Sequence, residues 1–444
     1  MMRKLFVALL VGAVAVGLAA PAFAADLKFT GAYRVRFQFD DNLPCMTQVG
    51  VDCSGHEFQT RFRPRFDVET DGGVRGVLRL EIGDVTFGGQ ASGATTVSAL
   101  PTTVPSAKGT GGDRGADGVN VETKWAYIDF PVPATPLRLR AGIQPFFLSK
   151  ALFLDDDGSG LSLYGKLGEI NSNFWWFRAN AGTTATNTVD ATGAHARDLY
   201  GLDVSFSPMR DLSLLGYLVY DHDMESPVGG QAATGFWIGV GAAGKAQNIR
   251  WDLDFVYGTK EITATADQKG YGLDGGVGMA LAGTPLDLEL RGWYFTGHDG
   301  SAGDNDAFPV LYAGSGGHEP GTQVWGGGGD IDIDALADNP QNTWGIGVIA
   351  RYTVNPNLKV TGNVHYIGTQ EEGTAASPSP AGDGFIDGVD KIGIEFGAKI
   401  DYTIARGLVF TLTAGYLSLG DDTGIDGTQW DDVTKVAGVV NYGF

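Results

Sequence analysis

Cysteine, positive charge and long hydrophobic runs are all scarce in this chain of 444 residues. The only two cysteines are Cys45 and Cys53, eight positions apart, and two lone thiols do not make a metal centre. Lys and Arg number 31 against 52 Asp and Glu, giving a formal net charge of −21. Such acidity argues against a nucleic-acid partner. After residue 24 no segment approaches the roughly 20 apolar residues that a transmembrane helix needs. Catalytic patterns are missing as well. The six histidines (His56, His195, His222, His298, His318 and His365) mostly fall in different loop-like stretches, and no His-Glu-x-x-His appears. The Gly326–Gly329 run lacks the Lys and Ser/Thr of a phosphate loop. No base–nucleophile geometry has a visible carrier, so an enzyme is not expected and neither is a cofactor.

The single apolar run lies at the start. Arg3 and Lys4 precede Leu5–Ala20, and Ala22-Phe23-Ala24 forms a small-x-small cleavage site. Residues 1–24 therefore read as a signal peptide, with Ala25 and Asp26 opening the mature chain. Export implies an oxidising compartment, where Cys45 and Cys53 are expected to close a loop disulfide.

What the chain has in quantity is glycine, at 68 residues, and aromatics, at 11%, set in a period of two. From Leu27 to Phe39 the odd positions are mainly apolar, while the even ones carry Lys28, Thr30, Arg34, Arg36 and Gln38. The next segment sets Phe58, Phe62, Phe66 and Val68 against Arg61, Arg63, Arg65, Asp67 and Glu69. Short turns alternate with long Gly-, Ser- and Asp-rich connections. The turns fall at 71–73, 131–136, 166–169, 208–211, 244–248, 282–285, 355–357 and 405–407. The long stretches lie near 40–56, 88–118, 146–158, 182–197, 222–233, 260–269, 298–341, 370–388 and 420–431. Eight turns and nine loops join 18 strands, or 16 if the pair 158–165 and 170–181 is misread. The expectation is one all-β domain over 25–444: an antiparallel up-and-down transmembrane barrel with short periplasmic turns and long external loops. A barrel of this size encloses an aqueous channel.

The inward parity of the first strands is basic, with Arg34, Arg36, Arg61, Arg63, Arg65, Arg75, Arg79, Lys124, Arg138 and Arg140. If strands two and three turn at 71–73, facing positions sum to about 144 under hairpin geometry. Glu69 then faces Arg75, Arg63 faces Glu81, and Arg65 faces Arg79 with no acid opposite.

The last residues, Val439-Val440-Asn441-Tyr442-Gly443-Phe444, place Val436, Val440, Tyr442 and Phe444 on one parity. This resembles the C-terminal signal strand of bacterial outer-membrane barrels, which implies a Gram-negative outer membrane, surrounding lipid and the barrel-assembly machinery as partners. The whole pattern resembles trimeric general porins, most nearly the homotrimeric porins of deltaproteobacteria. That family implies a homotrimer passing small polar solutes by passive diffusion, and a third external loop folded into the lumen. Here that loop is 146–160, whose Asp155, Asp156 and Asp157 would oppose Arg34, Arg36, Arg61, Arg63, Arg65 and Arg79 across a constriction flanked by Arg138 and Arg140. Glycines on outward parity near 235–244 and 270–283 would allow subunit contact, or else serve strand curvature. Phe174, Trp175, Trp176 and Phe177 put aromatics on both faces of one strand, so one parity points inward or into a subunit contact, and an interface girdle with trimer packing is the preferred expectation. A channel selective for sugars or organic anions is the nearest alternative; a barrel enzyme or structural adhesin is further off. Asp155 and Asp157, or Asp330, Asp332 and Asp334, are candidate calcium ligands in loops.

Overall fold

The structure is a computed structural model that describes residues 25–42, 54–87, 121–152, 154–180, 196–228, 231–263, 266–298, 305–311, 318, 320–326, 341–371, 391–420, 424–425, 428–429 and 431–444. The signal stretch 1–24, Cys45, Cys53, Asp330, Asp332 and Asp334 lie outside these residues.

Period-two patterning gives strands throughout. They are β1 (Ala25–Asp41), β2 (Ser54–Thr70), β3 (Arg75–Thr86), β4 (Val121–Pro131), β5 (Leu137–Phe147), β6 (Asp155–Leu167), β7 (Ile170–Asn180), β8 (Arg197–Met209) and β9 (Leu212–Val228). The second half holds β10 (Gln231–Ala246), β11 (Ile249–Thr263), β12 (Ala266–Ala280), β13 (Leu286–Phe295), β14 (Thr343–Asn355), β15 (Leu358–Thr369), β16 (Lys391–Ala405), β17 (Leu408–Leu419) and β18 (Val433–Gly443). Each pairs antiparallel with its sequence neighbour and β18 returns to β1, so the sheet is a closed 18-stranded barrel. The hairpin that decides between 16 and 18 strands is real: β6 and β7 pair from Ser159↔Arg178 to Leu167↔Ile170.

All eight short turns fall where Pro, Gly, Asn and Asp place them. Three of the expected long connections shrink, that at 146–158 to seven residues and two others to two residues each. β9 runs to Val228 and β10 starts at Gln231; β11 runs to Thr263 and β12 starts at Ala266. Beyond the apolar band both faces of a strand meet water, so the alternation stops while the hydrogen-bonded ladder continues.

The barrel closes where its ends meet. Gly31 and Phe444 exchange backbone hydrogen bonds, with Gly31 N–H donating at 3.0 Å and Phe444 N–H at 3.1 Å. The Phe444 ring lies 5.3 Å from Phe29, 5.7 Å from Tyr442 and 6.2 Å from Phe62 between centroids. A β-carbon on Gly31 would come within 2.7 Å of that ring, so only glycine admits it there.

The two faces differ as the alternation requires. Leu27, Phe29, Tyr33, Leu253, Phe255, Val348 and Phe396 are exposed on the outside, while Arg34, Arg36 and Arg61 are buried inside. An apolar band this extensive requires hydrocarbon around it. Inside, the long-loop end is packed rather than open. Trp175, Phe177, Leu199, Trp237, Val256, Phe295, Ile367 and Leu417 form one apolar cluster with Leu148, Leu152 and Leu154. Phe308, Leu311, Val324 and Trp325, between β13 and β14, complete it. This corrects the reading of the 174–177 aromatics. Phe174 faces out, but Trp175 and Phe177 point inward, and the Phe177 ring stacks 4.6 Å from Phe146. The glycines of β10 and β12 divide between the faces: Gly244 and Gly275 lie outward, beside Trp251 and Leu253, whereas those at 239 and 272 face inward. β-carbons there would lie 2.0 Å from the Tyr217 ring and 2.1 Å from the Phe295 ring. These two make room for large lumen side chains.

Candidate channel constriction

One lumen wall, β1–β5, carries the arginine row. The β2–β3 register is as the sequence requires, with Glu69↔Arg75 and Arg65↔Arg79 opposite each other. Arg63 reaches Glu81 at 2.5 Å. The remaining ion pairs are local. Arg34 holds Asp84 at 2.7 Å, and Arg61 lies 3.4 Å from Asp84 and 3.9 Å from Glu81. Arg36 donates to Gln59 and sits 3.6 Å from Glu57. Arg65 and Arg75 share Asp67. Arg138, Arg140 and the Tyr164 hydroxyl converge on Asp129, which is buried. Arg79 forms no ion pair among the described residues; its guanidinium lies 4.4 Å over the Trp125 ring, and that of Arg65 lies 5.1 Å over the same ring. Facing like charges are unfavourable, and the aromatic face stands in for the missing acid.

The connection between β5 and β6 does fold inward, but its charge is the reverse of the expected one. It is only seven residues, 148–154, with a 3₁₀ turn at Ser149–Ala151. Leu148, Leu152 and Leu154 bury themselves in the apolar cluster. Lys150 and Ala151 take left-handed backbone angles, φ 53° and 57°, and these project the lysine away from the apolar anchor. Lys150 Nζ bonds Asp252, lies 2.7 Å from Asp254 and 2.7 Å from Asp274. Those acids are on β11 and β12, six or seven strands further round the barrel. The loop thus presents a cation to an acidic wall. Asp155, Asp156 and Asp157 are the first residues of β6, and Asp157 meets the basic side: Lys124 at 2.8 Å and the Trp125 indole N–H at 2.5 Å. The triad failed to reach across because a seven-residue link leaves it hydrogen-bonded to β5, with Phe147↔Asp155 and Pro145↔Asp157 paired. Among the described residues no group of three metal-ligating side chains is gathered.

The second inward segment is also pinned by charge. Glu395 on β16 is fully buried and accepts three backbone N–H bonds, from Gln323 at 2.5 Å, Val324 at 3.2 Å and Trp325 at 2.9 Å. His318 Nε2 lies 3.0 Å from Asp274. Asp274 also bonds Arg291, which reaches Asp252 at 3.5 Å and Glu289 at 3.4 Å. Both inward segments therefore meet on one carboxylate. Sequence reasoning passed over Lys150, Asp252, Asp254, Asp274 and Glu395. The usable signal was a run of acids on the inward parity of β11 and β12, opposite in sign to the first strands.

The likeness to known proteins lies in the fold. No family model matches the chain, and no curated protein matches its sequence. Acinetobacter baumannii OccAB1 superposes with a TM-score of 0.58 at 11% identity, covering 95% of this chain and 97% of its own. The outer membrane protein OprD from Pseudomonas aeruginosa gives 0.56 at 10% identity, covering 94% of this chain and 93% of its own. Pseudomonas aeruginosa OpdK, solved with vanillate, gives 0.53 at 13% identity, covering 94% and 98%. The barrel has the OprD and Occ fold.

Proposed function

We propose that the chain is a channel of the Gram-negative outer membrane, passing small polar solutes by diffusion and favouring small carboxylates. The observation that carries this is Arg79, a cation on the lumen wall with no ion pair among the described residues, set opposite Arg65 on the Trp125 ring. Around it the wall of β1–β5 is basic, while the Lys150-bearing loop and the acids of β11–β13 form the other side. A positive strip inside a narrow, low-dielectric passage raises the local concentration of anions. OpdK was solved with vanillate, a carboxylate, which fits this direction. The selective alternative to a general pore is thereby favoured, and no catalytic role is assigned. A homotrimer follows only from the general-porin resemblance, and molecular mass in detergent decides it. The function is tested by planar-bilayer reversal potential in a salt gradient. Anion preference that falls on Arg79→Gln supports the proposal; cation preference in the wild type overturns it.

A further inference from the structure

A second lumen feature lies below the inward loop, toward the short-turn end, on β5–β8. A cavity of about 430 Å³ is lined there by Arg140, Phe146, Tyr164, Asn173, Trp175 and Asp203, a size suited to a small ligand. The register builds it. Arg140 faces Ser162, Ser162 faces Trp175 and Trp175 faces Gly201, while Tyr164 faces Asn173 and Asn173 faces Asp203. Arg140 and Asp203 thus stand three strand spacings apart, roughly 14 Å along the sheet. Trp175 leans over Gly201, where a β-carbon would lie 2.0 Å from its ring. Phe146 leans over Gly160 and packs 5.6 Å from Trp175. The two rings roof the cavity.

The polar floor has unused capacity. Asn173 Nδ2 donates to Asp203 at 3.0 Å and Trp175 Nε1 donates to the same oxygen at 3.2 Å. That leaves Asn173 Oδ1 buried with no donor and Asp203 with no cation among the described residues. Arg140 reaches Asp129 at 3.4 Å through Nε and lies between two rings, 4.9 Å over Tyr127 and 5.0 Å over Tyr164. A buried acceptor without a donor is costly unless a ligand supplies one. The pocket holds one anionic and one cationic group of comparable reach, so neither a simple anion nor a simple cation satisfies both. A neutral ring with several hydroxyls does. Its O–H groups donate to Asp203 and Asn173 Oδ1, its oxygens accept from Arg140, and its C–H edge meets Phe146.

Resting on the channel reading above, we infer that this cavity is a subsite for a neutral polyhydroxylated ring, a monosaccharide in chemical class, separate from the arginine strip at Arg79. The test is single-channel current in KCl with D-glucose added, on the wild type, Asp203→Asn and Asp203→Leu. Glucose is expected to lower the wild-type current saturably. Asp203→Asn keeps an acceptor and weakens the block by no more than about tenfold, whereas Asp203→Leu weakens it by about tenfold to a hundredfold. Unchanged KCl conductance shows that each variant is folded. Gly201→Val, which drives Trp175 into the cavity, should abolish the block with conductance retained. If the protein conducts but glucose leaves its current unaltered beyond the viscosity effect, the subsite is overturned and the channel reading stands. Block by the zwitterion glycine that Asp203→Asn removes, with glucose inert, overturns it in favour of ammonium recognition. A chain that conducts nothing overturns both.

Discussion

Lys150 Nζ sits 2.7 Å from the Asp274 carboxylate, although Lys150 follows β5 and Asp274 lies on β12. The same carboxylate binds His318 and Arg291, so it is the joint between both inward segments and the wall. Removing one partner of a buried ion-paired group costs about 3 kcal/mol or more. Asp274→Asn should therefore loosen both segments together, giving larger and noisier single-channel currents than wild type. Lys150→Ala should reproduce part of the effect. Currents in Asp274→Asn that match wild type in size and noise would show that the segments are held elsewhere.

The tether has a defined pH window. Burial pulls the Lys150 ammonium down, but Asp274, Asp252 and Asp254 outweigh this and hold it above its ordinary 10.5. A group raised on folding stabilises fully below its unfolded value and loses that contribution as pH climbs through the folded one. Open-channel noise should stay level from neutrality to about 10 and rise only beyond it, in the alkaline range. Noise that climbs between neutral pH and 9 would assign the tether to another group.

Asp155→Ala/Asp156→Ala/Asp157→Ala gives a sharp contrast between the general-porin resemblance and the structure. The triad does not cross the lumen, so the conductance should hold. Freed of Asp157, Lys124 adds a positive charge beside Trp125, and the reversal potential should move toward stronger anion preference. A marked change in conductance would restore the triad to the constriction.

Glu395→Ala leaves the N–H groups of Gln323, Val324 and Trp325 without their acceptor. Each buried unsatisfied donor costs about 1–3 kcal/mol, enough to release the segment locally while the barrel ladder persists. Limited proteolysis should cut within 320–326 faster in the variant, at unchanged barrel melting. Equal cutting rates would mean that the apolar contacts of Val324 and Trp325 suffice.

Much of the barrel was legible because its signals are local. A turn such as Asp71-Gly72-Gly73 fixes the register by itself, and from that register Arg65 opposite Arg79 follows by counting. The lumen was legible only in part. Period two states that Trp175, Trp237 and Phe295 share the inward parity, but not that two connections fold back to cover them. Lys150 stayed hidden because a side chain's reach from a loop depends on backbone angles, here left-handed, that no alternation encodes. The inward glycines misled for a related reason: an empty position looks alike on either face until the neighbour that fills it, Tyr217 or Phe295, is placed.

The Gly31–Phe444 bond pair marks the seam at which β18 meets β1. Until β18 docks, β1 and β17 each present a bare row of amides and carbonyls, which hydrocarbon cannot satisfy and which other chains can capture. A polypeptide halted before residue 433 is thus an open sheet with two adhesive borders, unable to settle as a narrower cylinder without shifting every pairing. Closure of this barrel therefore rests on one eleven-residue strand.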